Sequence, residues 1–386
     1  MGFASHPLWL VGFRPFFILC ALAGLALPSL WLLIHFGQLP APALARPPVV
    51  WHAHEMFFGF GWAVLGGFLL TASKNWVGIR GYHGVTLILL AAGWMVERIG
   101  MAFGAGWPDW LFRASNAAFL AAIVALLCAT LWRHRARDSY RDNWIFLLAL
   151  PLFLVAKWQL LEAESFRAGI AMTTALFRVA FLVMLERTLT QFMKGVFQAE
   201  ILRQPALDMT IKLLALVLVA AAWLPAPFAA AMTLLLAGLL AVRFAYWHPR
   251  KAFTRIDIGV MHLGYLGIVA QLLAEAADLL LHPGWTGALP AHLFGLGVMG
   301  LIVPAMLVRI GKGHTGRTVV FDRGDNAALW IMITAAAIRL VAPQLAPAGY
   351  PLWLALAAAG WLAGFGIVGR RLIPLLFAPR VDGKEH

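Results

Sequence analysis

Apolar runs of about twenty residues alternate with short polar breaks along the whole chain, a pattern that predicts helices able to cross a bilayer. Twelve such runs lie at roughly 14–35, 51–73, 84–104, 112–132, 144–161, 167–186, 210–224, 227–247, 259–281, 290–310, 326–342 and 351–376. Each is apolar all round, whereas a membrane barrel alternates apolar and polar positions in shorter strands. The expected fold class is therefore all-α, a polytopic membrane protein of about twelve transmembrane helices, forming one integral-membrane domain over residues 1–386. Pro225 and Pro227 make the turn between the seventh and eighth runs very tight. The connection 187–209 carries Arg187, Lys194, Glu200, Arg203 and Asp208, and predicts an amphipathic helix on the membrane surface.

Composition agrees: 62% of residues are hydrophobic, 12% are charged, and the mean hydropathy is +0.82. A soluble chain of this length would present far more polar surface to water. The net charge of +13 would suit nucleic acid, but its placement excludes that partner. Basic residues gather in the loops after even-numbered runs and in the tail, while the alternate loops hold only Arg46, Arg113 and Arg167. The positive-inside rule then puts both termini in the cytoplasm. Cys20 and Cys128 both lie in predicted spans, so neither a disulfide framework nor a Cys-x-x-Cys site is expected. The first run lacks the charged start of a cleaved leader and is expected to remain as a helix.

The chemistry concentrates in Pro47-Pro48-Val49-Val50-Trp51-His52-Ala53-His54-Glu55-Met56, at the mouth of the second run. The prolines set the start of that helix. His52 and His54 are two apart, so on a helix they point about 200° away from each other and need different partners. The tenth run begins similarly, Pro290-Ala291-His292, and laying His54 on His292 also aligns Gly59 with Gly297, Lys74 with Lys312 and Gly78 with Gly316. A weaker echo at Lys194-Gly195 suggests three pseudo-repeats of four helices. This arrangement resembles the catalytic subunit of haem–copper oxidases, where helices 2 and 10 supply haem ligands. The runs 167–186 and 210–224 contain no histidine, so an oxygen-reducing copper centre of that type is not expected.

Most of the twelve histidines need no special account: His35, His134, His248, His282 and His386 sit at loop edges or in the tail, and His6 and His83 in loops. His54 and His292, each opening an inward-running helix, are the candidate axial ligands of a b-type haem, with glycines to admit the ring and phenylalanines to wall it. Six basic residues fall inside spans: Arg14, Arg98, Lys157, Arg178, Arg243 and Arg339. Pairing with Glu97, Glu186, Glu275 or Asp278 would explain several of them. Arg98, Lys157 and Arg339 share the depth of His54, and basic groups there would suit haem propionates. Copper takes imidazole and thioether ligands. Its candidates are His52 with Glu55 and Met56 on the outer side, or His262 with His314 on the inner side. About 33 Å of helix separates His292 from His314, so one ion cannot serve both groups. Gly313-His314-Thr315-Gly316-Arg317 resembles a phosphate-binding turn but lacks a nucleotide fold around it, and reads as a cytoplasmic anchor.

A closer likeness is to the NnrS family of bacterial membrane proteins. It is carried by Gly12-Phe13-Arg14-Pro15-Phe16-Phe17, Trp51-His52-Ala53-His54-Glu55-Met56, Asn75-Trp76-Val77-Gly78, His262-Leu263-Gly264-Tyr265, Ala291-His292, and Gly313-His314-Thr315-Gly316-Arg317. From about 105 to 250 the match is in hydropathy alone. The resemblance implies haem and copper as cofactors, nitric oxide as the related gas, and the bacterial inner membrane as the location. No protein partner is inferable. Three functions stay open: a haem protein of the nitric-oxide response, with or without redox catalysis; a twelve-span transporter; or a haem or metal insertion factor.

Overall fold

The structure, a computed structural model, describes residues 2–39, 44–201 and 203–385, which leaves His386 outside it. Every regular element among the described residues is helical. Twelve helices are long and apolar enough to cross a membrane, and the protein is a multi-pass membrane protein. In chain order, spans 1 to 6 are Phe13–His35, Pro48–Trp76, Val85–Gly106, Asp109–Arg133, Arg141–Leu161 and Ala163–Phe197. Spans 7 to 12 are Pro205–Trp223, Ala226–Tyr246, Ile256–Leu281, Leu289–Gly313, Arg323–Leu345 and Pro347–Phe377. Trp110, Trp132 and Trp223, at span ends, are all more than half exposed, as rings at a lipid–water boundary would be.

The amphipathic surface helix expected over 187–209 is not formed. Span 6 instead continues as one helix to Phe197, and span 7 begins at Pro205, where proline suits a first helical turn. Glu186, Asp208 and Lys212, at the two ends of this stretch, are buried in ion pairs, while Lys194 and Glu200 stay exposed.

Contacts group the chain into two compact units. The first holds Met1–Gly169, Met306–Val320 and Phe365–His386, and the second holds Ile170–Ala305 and Phe321–Gly364. In the first, spans 1 and 2 approach backbone to backbone. A Cβ on Gly67 would lie 2.6 Å from that of Phe16, and one on Gly12 would lie 2.5 Å from that of Leu70. Without a hydrophobic drive between helices in lipid, such close packing of small residues is what holds them. The hydroxyl of Thr71 accepts from the Phe13 amide at 2.8 Å and donates to the Gly67 carbonyl, closing the start of span 1 onto span 2.

Span 2 and span 10 share a backbone feature. Each opens with a short α-helical turn on a proline and then widens into a π-helical stretch, Glu55–Gly61 in one and Gly295–Met299 in the other. The offset that lays His54 on His292 lays one π stretch over most of the other. Glycine-rich π turns re-aim the side chains around them and are frequent at functional sites.

Candidate functional site

In the first unit, His54 is fully buried in a cluster of charges drawn from three spans. Its Nδ1 lies 3.0 Å from Glu55 Oε1, and its Nε2 lies 3.4 Å from Glu97 Oε1. Arg98 holds both carboxylates, with Nε 2.9 Å from Glu55 Oε2 and Nη2 2.5 Å from Glu97 Oε1. Lys157 reaches in from span 5, 2.5 Å from Glu97 Oε1, and also donates to the Asn116 carbonyl on span 4. The Phe58 ring lies against both bases, 5.5 Å from the imidazole and 5.3 Å from the Lys157 ammonium. In hydrocarbon such charges persist only because each is compensated.

The surroundings of His54 do not fit an axial haem ligand. Such a ligand turns one nitrogen to the iron and its other N–H to a second-shell acceptor. Here Glu55 can serve as that acceptor for Nδ1–H, but Glu97 Oε1 crowds Nε2 at 3.4 Å, and Arg98, expected at a propionate, already answers two acids. Lys157, expected at the same depth, is spent on Glu97. His52 turns away from His54, as its spacing required, and stacks on Trp31 with ring centroids 4.3 Å apart. Glu55 is committed to His54 and Arg98, so the outer copper set of His52, Glu55 and Met56 does not converge.

In the second unit, His292 has different company. Its Nδ1 lies 3.0 Å from the Ala288 carbonyl, so Nδ1–H donates there and Nε2 keeps its lone pair. Ala288 reaches this position with φ of 52°, a left-handed conformation that costs a non-glycine residue energy and aims its carbonyl at the ring. Arg339 lies beside the imidazole, with Nη2 3.3 Å from Nε2 and 2.9 Å from the Gly287 carbonyl. The Tyr350 hydroxyl is 3.3 Å from the same nitrogen. Arg339 is 3% exposed, its Nη1 is buried with no hydrogen-bond partner, and no carboxylate pairs with it among the described residues. The other in-span cations Arg98, Lys157, Arg178 and Arg243 all have an acid, and buried Arg14 has two carbonyls, of Leu376 and Ala378, at 2.8 and 2.7 Å.

The inner candidates are less open. His262 is buried with Nδ1 and Nε2 each 3.2 Å from a carbonyl, of Ile258 and Trp247, so one carbonyl takes its single N–H and the other crowds the lone-pair nitrogen. His314, in the first unit, packs 5.5 Å from the Phe13 ring. Its turn anchors the tail: Arg380 donates to the His314 carbonyl at 2.9 Å, and the Val381 amide donates to the Thr315 carbonyl at 3.1 Å. Among the described residues, no group of three or more His, Cys, Asp or Glu is arranged to hold a metal ion.

Burial, with Lys74 and Arg380 adding repulsion, holds the His314 imidazole below the ordinary histidine range. The unfolded chain therefore takes up a proton at His314, below about pH 6.5, that the folded chain refuses. Stability contributed at this residue is complete above that pH and is lost as pH falls towards the folded value. Thermal midpoints in detergent should drop on acidification from pH 7.5 to 5.5, and drop less in His314→Gln. An equal drop in both proteins would remove His314 from the account.

The sequence reading offered Glu186 as a partner for the in-span cations, but missed the Asn116 carbonyl, Tyr350, and the gathering of Asp208, Lys212 and Arg203 with Glu186 around Arg243. Only their charge, near span ends, could have signalled the last of these.

The family model described as NnrS protein matches residues 7–380, nearly the whole chain. No curated protein matches it.

Proposed function

Because the chain belongs to the NnrS family, we propose that it is a haem-binding protein of the bacterial inner membrane, acting in the nitric-oxide response with both termini in the cytoplasm. The observation that carries this reading is Arg339, a buried guanidinium without an acid among the described residues, whose Nη2 lies 3.3 Å from the lone-pair nitrogen Nε2 of His292. A buried cation of this kind is costly unless an anion joins it. A haem has both complements, an iron for the imidazole and a propionate for the guanidinium. His292 would hold the iron, with Nδ1–H fixed by Ala288, and Arg339 with Tyr350 would take the propionate. Bound there, the haem would supply an iron able to exchange electrons and to bind nitric oxide. The protein's own part is to fix one tautomer of His292 and to keep the guanidinium desolvated until the carboxylate arrives.

The purified protein should show a b-type spectrum and a pyridine haemochrome. His292→Ala should lose or convert that signal, and Arg339→Gln should shift its midpoint potential. His54→Ala should retain the haem, against the first expectation from the sequence. A haem-free wild type would favour a carrier. A haem lost in His54→Ala but kept in His292→Ala would invert the assignment.

A further inference from the structure

The turn that closes span 10, Gly313-His314-Thr315-Gly316-Arg317, looks like a phosphate-binding loop in sequence. Such loops hold their anion with free backbone amides. Here the amides of His314, Thr315, Gly316 and Arg317 all donate back, to the carbonyls of Ile310, Lys312, Gly313 and again Lys312, at 2.8 to 3.2 Å. Gly316, with φ of 78°, is the left-handed residue that ends the helix. The backbone of the turn is spent on its own cap, so an anion here has only side chains to hold it.

Those side chains are gathered at one end of the first unit, where span 1 begins and spans 2, 10 and 12 finish. Arg14 is 1% exposed. Its Nη1 donates to the carbonyls of Leu376 and Ala378, but its Nε and Nη2 are buried with no hydrogen-bond partner. Nε and Nη2 form the side-on fork of the guanidinium, whose spacing matches two oxygens of one phosphate. Arg317 Nη1 is buried without a partner as well. Arg317 and Arg380 lie close enough to Arg14 to repel it, and Arg380 also repels Lys74, 8% exposed at the end of span 2. The acids at hand are already taken: Asp382 holds Arg380 at 2.5 and 2.8 Å, and Glu385 holds Arg80 at 2.5 Å. Among the described residues no carboxylate pairs with Arg14, Lys74 or Arg317. The carbonyls that end the helices answer one nitrogen of Arg14 and one of Arg380, and leave the open fork of Arg14 unexplained. Buried cations that repel one another are costly to keep together unless an anion joins them.

We propose that this end of the first unit binds a phosphate-class anion, held by the Nε and Nη2 fork of Arg14 and by Arg317, with Lys74 at its edge. The same chemistry is offered by a lipid headgroup and by inorganic phosphate. The site stands independently of the haem at His292.

Thermal midpoints of the full-length protein, stripped of lipid in detergent and held in phosphate-free buffer, test it in two arms. One arm titrates inorganic phosphate against chloride of equal ionic strength. The other titrates short-chain phosphatidylglycerol, below its micellar concentration, against detergent alone. At least one arm should give a saturable rise in midpoint beyond its control, and the arm that responds identifies the source. Arg317 pairs with no acid, so Arg317→Gln should fold, and its apparent Kd should be weaker by roughly tenfold or more, as for one lost charged hydrogen bond. Arg135→Gln, in the exposed basic cluster after span 4, should bind as wild type does. Where Arg317→Gln does not fold, Lys74→Gln takes its place. Midpoints that follow the controls in both arms overturn the site. So does binding in the site variant equal to wild type, or a loss shared by Arg135→Gln.

Discussion

Glu97→Ala should unfold the first unit far more readily than wild type, by about 3–5 kcal/mol. Glu97 is fully buried and its Oε1 is 2.5 Å from both Lys157 and Arg98, so the truncation leaves a buried ammonium and guanidinium with one acid between them. The magnitude comes from the stranded charges and not from the net worth of the pair, since a well-made buried ion pair roughly offsets its own desolvation. A second substitution tests that logic. Adding Lys157→Met to Glu97→Ala removes one stranded cation and should recover a measurable part of the loss. Denaturant-induced unfolding in mixed micelles, followed by helical circular dichroism, compares the three proteins. A single variant as stable as wild type would mean that the cluster contributes nothing to the fold. A double variant no better than the single would mean that the cost is cavity, not charge.

Hydropathy places residues along a membrane helix well and around it poorly. The twelve spans were legible because each apolar run is about a bilayer long and is closed by proline, glycine or a basic cluster, so that Pro48 marks a real helix start. Depth was legible for the same reason, and Arg98 and Lys157 do meet beside His54 as their shared level suggested. Rotation was not. A helix apolar all round has no polar face to say which neighbour a side chain meets, so nothing in the sequence turned Lys157 towards Glu97 or Arg339 towards His292 and Tyr350. The pattern of two histidines opening two helices suggested similar jobs for both. Their neighbours are opposite in charge, two carboxylates for His54 and one guanidinium for His292, and that contrast separates their chemistry.

The 187–209 stretch failed for a related reason. Its charges read as a solvated surface because buried and exposed ion pairs have the same composition. The difference lies in partners far apart in sequence: Glu186 on span 6 meets Lys212 on span 7 at 2.6 Å and Arg243 on span 8 at 3.7 Å.

That second cluster carries the other large expected effect. Glu186 is 2% exposed and is shared by Lys212, Arg243 and Arg203, so Glu186→Ala strands two buried cations at once. Asp208, 3.4 Å from Arg243, can answer only part of that charge. Arg243 is held besides by the Tyr265 hydroxyl at 3.1 Å and lies over the Trp247 ring at 4.7 Å, which keeps it in place and uncompensated when the acid is gone. A loss of about 3–5 kcal/mol is expected in the second unit. Arg203 provides the internal control. Its side chain is 46% exposed, so water already screens it, and Arg203→Ala should cost no more than about 1 kcal/mol although it touches the same carboxylate. Protease susceptibility of the 198–204 connection, together with unfolding in mixed micelles, separates the two variants. Equal losses would mean that exposure does not govern the pairing, and a near-neutral Glu186→Ala would show that Asp208 alone suffices to hold Arg243 and Lys212.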